Sequence, residues 1–104
     1  MRQAVGMVEV YGLVAAFAAC DAGCKAANVT VERFDKNKPA NADSLPVPLL
    51  VCVKFRGSVS DVKAAVEAAI DAANRVSGIV CSHIIPQCEE DTEKMLKLSA
   101  FDID

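Results

Sequence analysis

Pro39, Pro46 and Pro48 crowd into one stretch of the chain, NKPANADSLPVP at residues 37–48, and forbid regular structure there. A proline lacks the N–H that a helix interior or a central strand requires, and its ring fixes φ. Asn37, Asn41, Asp43 and Ser44 favour turns through short polar side chains, and Lys38 adds a charge. Ala40, Ala42, Leu45 and Val47 are the remaining, apolar members. Strand-like runs flank the stretch at 29–34 and 49–55, so it reads as a loop joining two neighbouring strands of one sheet. A tight hairpin needs only about two to five residues there. The excess length makes this loop the expected seat of function.

The other elements follow from period and punctuation. AVGMVEV (4–10) is a mostly apolar, β-branched run broken by Gly12, and predicts a first strand. Leu13, Phe17, Cys20 and Cys24 then recur at helical spacing and predict a helix to about Ala27, with this stripe facing the core and Asn28 as a left-handed cap. Beyond the loop, LLVCVKF is the most strand-like run, and Ser58 with Asp61 three residues on predicts the capped start of a long helix. Val62, Ala65, Val66, Ala69, Ile70, Ala73 and Val76 form its apolar stripe, and Ser77–Gly78 stop it. IVCSHII, closed by Pro86, predicts the fourth strand. Glu89, Glu90 and Asp91 then open a short helix with Met95, Leu96 and Leu98 as its apolar side, and a tail follows from about residue 98. The order is β-α-β-β-α-β with a terminal helix, an α+β, ferredoxin-like arrangement in a single domain over 1–104. That arrangement says nothing about activity.

Composition narrows the function. A formal charge of −3 without a basic cluster argues against nucleic acid. Small side chains dominate and tryptophan is absent, so a lone chain has a modest core and burial between subunits is expected. Five cysteines, no signal peptide and no disulfide-type spacing predict reduced thiols in the cytoplasm. The apolar run from Val10 to Cys20 is too short to span a bilayer, so no membrane is expected.

Chemistry is sparse. Cys20 and Cys24 are one helical turn apart, and Cys81 and His83 share a strand face; convergence of all four would make a zinc site. Packing is the better reading for the helical pair, Cys52 suits core or interface filling, and Cys88 sits where an exposed thiol is expected. His83 suits a structural role. No phosphate loop, nucleophile elbow or zinc-protease motif is present, so catalytic and metal-ligating residues are predicted to be none.

In this order, GMVEVYGLVAAFAACDAGCKAANV, VKFRGSVSDVKAAVEAA and CSHIIP make the chain closely resemble the BMC domain, the shell protein of bacterial microcompartments, over about residues 4–96 outside the loop. The resemblance implies flat cyclic hexamers that tile into a protein sheet, each with a central pore lined by the loop between the second and third strands. Residues 37–48 take that position. Lys25 matches a lysine that in the family packs against its counterpart at the hexamer edge. Two departures stand out: the family usually has a short glycine-containing loop there, and commonly an arginine where this chain has Gln87 after the closing proline.

The function expected is therefore a structural shell subunit, not an enzyme and without a cofactor, whose long loop narrows or occludes the pore. Its partners are itself, other shell proteins and encapsulated enzymes. Two alternatives are a shell-associated protein carrying an iron–sulfur cluster, which needs thiolates near the axis, and a small-molecule-sensing regulator on the same fold.

Overall fold

The computed structural model describes residues 3–98. Its elements are β1 (Ala4–Tyr11), α1 (Leu13–Ala26), β2 (Thr30–Asn37), β3 (Leu50–Gly57), α2 (Val59–Asn74), β4 (Ile79–Ile85) and α3 (Glu90–Leu96). The strands form one antiparallel sheet in the order β2-β3-β1-β4, with α1 and α2 on one face, as the α+β reading expects. β2 runs further than its β-branched residues do: Asp35, Lys36 and Asn37 stay paired with Cys52, Val51 and Leu50. Asn37 thus belongs to the strand, and the connection begins at Lys38. The expected tail lies outside the described residues beyond Leu98.

α1 corrects the predicted core stripe. Its buried residues are Ala15, Ala16, Ala19 and Gly23, whereas Leu13 is 40% and Phe17 60% exposed and Cys24 is also exposed. The reason is close approach. A Cβ at Gly23 would fall against the Phe55 ring and 3.2 Å from the Ala65 carbonyl oxygen, so only small residues let the helix pass between β3 and α2. Hydrophobic spacing alone favours the larger side chains; the geometry of the seat reverses the choice. Nor is Asn28 a left-handed cap, since among the described residues only Gly12 and Gly78 have positive φ and α1 ends on extended Ala27.

α2 follows its prediction. Ser58 Oγ accepts from Asp61 N at 3.1 Å, and Val62, Ala65, Val66, Ala69 and Ala73 are buried against the sheet. Val76 is the exception, half-exposed because the helix has already ended at Asn74.

The other face of the sheet carries two buried cations on β3. Lys54, 2% exposed, donates to Asp35 Oδ2 at 2.8 Å, to the Leu96 carbonyl at 2.7 Å and to the Leu98 carbonyl at 3.0 Å. It therefore neutralises one carboxylate and satisfies carbonyls at the C-terminal, electronegative end of α3. Arg56, 4% exposed, forks onto Glu93 of α3 and donates its Nε to the Ala4 carbonyl at 3.2 Å. The pairing with Glu93 is the main reason the guanidinium is raised above its ordinary pKa. These bonds, with Leu96 packed on Val5 and Cys88, hold α3 to the sheet. Met95 and Leu98, expected on an apolar side of α3, remain exposed because polar anchoring leaves only Leu96 to be buried. Cys88, expected at the surface, is fully buried beneath the same helix.

Gly23→Ala should destabilise the chain by on the order of 1–2 kcal/mol. Overpacking against Phe55 and the Ala65 carbonyl outweighs the helix-propensity gain of about 1 kcal/mol. A urea midpoint equal to or above that of the parent would show that α1 can shift to accept the methyl. Lys54→Met should cost on the order of 3 kcal/mol, since it strands Asp35 and two carbonyls. It should also let Cys88 react with a maleimide at lower denaturant concentration than in the parent, which mass spectrometry can follow.

Candidate functional site: the two ends of the sheet

The loop is folded onto one end of the sheet. Beyond Asn37 the chain makes a short 3-10 turn over Ala42–Ser44: Ala42 N donates to the Pro39 carbonyl at 3.0 Å, and Ser44 Oγ to the Asn41 carbonyl at 2.7 Å. Ala42 is 3% exposed, so the turn has a buried foot. The second half is pinned to the start of α1. Gly12 N donates to the Leu49 carbonyl at 2.8 Å, and Val47 lies where a side chain at residue 12 would need to be, its Cγ1 2.9 Å from an added Cβ. Gly12 has φ +88°, which also favours glycine there. At the same end Ser77 Oγ donates to the Tyr11 carbonyl at 2.6 Å, tying in the α2–β4 turn. Lys38, Asn41, Asp43 and Ser44 stay exposed.

Lys25 and Gln87 lie at the other end. β1 runs from Ala4 to Tyr11 toward the loop, and α1 returns, so Lys25 in its last turn is about 20 Å from the loop end. Its amine pairs with Asp21 at 2.8 Å with both side chains largely exposed, and this bond is the main reason that its pKa is raised. Gln87 is exposed just past β4, whose Ile85 pairs with Val5 near the start of β1. The residues singled out in the sequence thus form two groups at opposite ends of one sheet.

The thiols do not converge into a centre. Among the described residues no three His, Cys, Asp or Glu side chains are placed to hold a metal ion. Cys20 is pushed up to about 11, first by burial and then by Cys24; Cys52 also reaches about 11, through burial and then Glu9 and Asp35. At neutral pH both are thiols, not nucleophilic thiolates. One feature escaped the sequence reading. On the sheet face that carries α3, Met7, Glu9, Cys52, Cys81, Ser82 and His83 line a hollow of about 190 Å³. Its signal was present as same-face pairs, Met7 with Glu9 on β1 and Cys81 with His83 on β4, but their meeting depends on register: Glu9 lies opposite both Cys52 and Cys81.

Comparison with known proteins gives these two ends a context. The BMC domain profile matches residues 4–88. The bacterial microcompartment shell protein PduA of Salmonella typhimurium is 40% identical over 95 residues, covering 91% of this chain and 92% of that protein. The carboxysome shell protein CcmK2 of Synechocystis is 39% identical over 100 residues, covering 94% and 88%. In fold, the crystal structure of a microcompartments protein from Desulfitobacterium hafniense DCB superposes with a TM-score of 0.71 at 24% identity. It covers 93% of this chain, which spans about half (48%) of that longer one. No helix among the described residues is long and apolar enough to cross a membrane. With its sheet order, its two helices on one face and these relatives over nearly all of its length, the chain belongs to the BMC-domain family and is a bacterial microcompartment shell protein.

Proposed function

We propose that the chain is a non-enzymatic tile: a cyclic hexamer that packs edge to edge into a shell in the cytoplasm, with residues 38–48 gathered at the axis and Lys25 and Gln87 at the rim. The observation that carries this reading is the separation of the two groups by the length of the sheet. A ring needs one end of each subunit inward and the other outward, and here the proline-stiffened loop occupies one and the exposed lysine the other. The exposed apolar strip of α1, Leu13, Val14 and Phe17, supports association, because burial in a neighbour would remove it from water. Other shell proteins are the natural partners along the rim, with encapsulated enzymes within the shell.

At the axis, six copies of the loop narrow or occlude the pore. The loop is anchored through Ala42, Val47 and Leu49, so the copies present a fixed shape and not a loose fringe. Rings of Lys38 and Asp43 carry opposite charges and largely cancel.

Analytical ultracentrifugation at micromolar concentration is expected to give a hexamer; a stable monomer overturns the ring. Lys25→Ala should leave that mass unchanged while weakening sheet formation seen by negative-stain microscopy, and dissociation into monomers would show that Lys25 sits in the ring interface. Gln87→Arg, which restores the residue common in the family, should strengthen sheet formation. Replacing residues 38–48 with a short glycine turn should keep the hexamer and open its axis in a cryo-microscopy map. An axis already open in the parent would refute occlusion.

A further inference from the structure

The five thiols do not meet in one centre, but two of them share one stretch of α1. Cys20 and Cys24 stand one helical turn apart, Cys24 exposed and Cys20 half-buried at the edge of the core. Neither the loop nor the rim contacts assigned to Lys25 and Gln87 use them. We infer that Cys20 and Cys24 form a two-coordinate site for a soft monovalent cation, copper(I), held between their sulfur atoms.

The spacing decides what the pair can do. Side chains at i and i+4 of a helix have Cβ atoms about 5–6 Å apart, whereas a disulfide requires about 3.5–4.5 Å. Direct oxidation would therefore have to deform α1, whose Gly23 is held close against the Phe55 ring and the Ala65 carbonyl. An ion between the sulfurs fits without that deformation, because two metal–thiolate bonds of about 2.3 Å span up to about 4.6 Å. The electrostatics point the same way. After burial, the causes that push the Cys20 thiol up to about 11 are the charge of Cys24, a hydrogen bond with Cys24 and the charge of Asp21. Negative groups that oppose one another's ionisation in this way are stabilised by a cation placed between them. The donor set then selects the ion. Zinc takes four ligands, and among the described residues no third His, Cys, Asp or Glu joins the pair. Copper(I) is soft, favours thiolate sulfur and is satisfied by two such donors in a line. Binding breaks two S–H bonds and forms two Cu–S bonds; both protons pass to solvent and the metal stays copper(I), so neither oxidant nor reductant is consumed.

The test is an anaerobic titration of the reduced, intact chain with copper(I) in competition with the chromogenic chelator bicinchoninate. The parent should hold one ion per chain against the chelator. Because the second Cu–S bond is intramolecular, Cys24→Ser, at an exposed position, and Cys20→Ser should each weaken binding by at least about a hundredfold. Cys52→Ser combined with Cys81→Ser should leave the affinity unchanged. Equal affinity in all four proteins would show copper scattered over single thiols and overturns the proposal. A loss confined to the variant lacking Cys52 and Cys81 moves the ion to the hollow on the other face of the sheet and overturns it too. One ion per two chains assigns the site to a pair of copies, with the same consequence. X-ray absorption at the copper edge of the loaded parent should show two sulfur neighbours, and three or more overturn the two-coordinate site.

Discussion

The architecture depends on how closely α1 approaches the sheet. Phe55 is fully buried on β3, and its ring takes the space beside α1 that a side chain at residue 23 would otherwise fill. The fully buried residues of α1 are accordingly all alanine or glycine, with Cys20 packed half-buried beside them. An alanine methyl contributes roughly a third of what a buried valine or leucine does, so the layer is thin in hydrophobic stabilisation even though it is tightly packed. The larger apolar residues of the helix, Leu13, Val14 and Phe17, are displaced outward. Phe17 recovers some contact edge-on with Phe34, at 5.2 Å between ring centroids, but the strip as a whole faces solvent in the single chain. A protein built this way defers part of its burial to assembly, which accords with its membership of a shell family.

The second face of the sheet is stabilised by a different logic. Burying Lys54 and Arg56 is costly unless each charge meets carboxylates and carbonyls in good geometry. Here Asp35, Glu32 and Glu93 supply the charge and the carbonyls of Gln3, Ala4, Leu96 and Leu98 the remaining acceptors. Among the described residues no buried side-chain nitrogen or oxygen lacks a partner. Such a network fixes the position of α3 more than it adds to stability, because directional bonds discriminate against slippage where a single apolar contact at Leu96 would not.

Between these two layers the sheet acts as a spacer. Antiparallel order brings the β2–β3 connection, the start of α1 and the α2–β4 turn to one end, and the end of α1 and the residues after β4 to the other. The loop and the exposed Lys25 and Gln87 are thereby held at opposite ends of the sheet.

The sequence by itself determined the element order, the α+β class, the capped second helix and the family, because periodicity, turn residues and Ser58–Asp61 capping are local signals that tertiary contacts did not override. It also singled out residues 37–48, Lys25 and Gln87, though not their distribution over opposite ends. Which side of α1 faces inward could not be read locally: Leu13, Phe17, Cys20 and Cys24 form as good a stripe as Ala15, Ala16, Ala19 and Gly23, yet of the four only Cys20 packs against the core, half-buried, beside a seat where the Phe55 ring excludes bulk. Likewise Lys54 and Arg56 look like solvent-facing strand residues, and Cys88 like a surface thiol, until α3 folds over them. The strand register then places Glu9 between Cys52 and Cys81. Those outcomes rest on contacts between residues far apart in the chain, which only the tertiary structure decides.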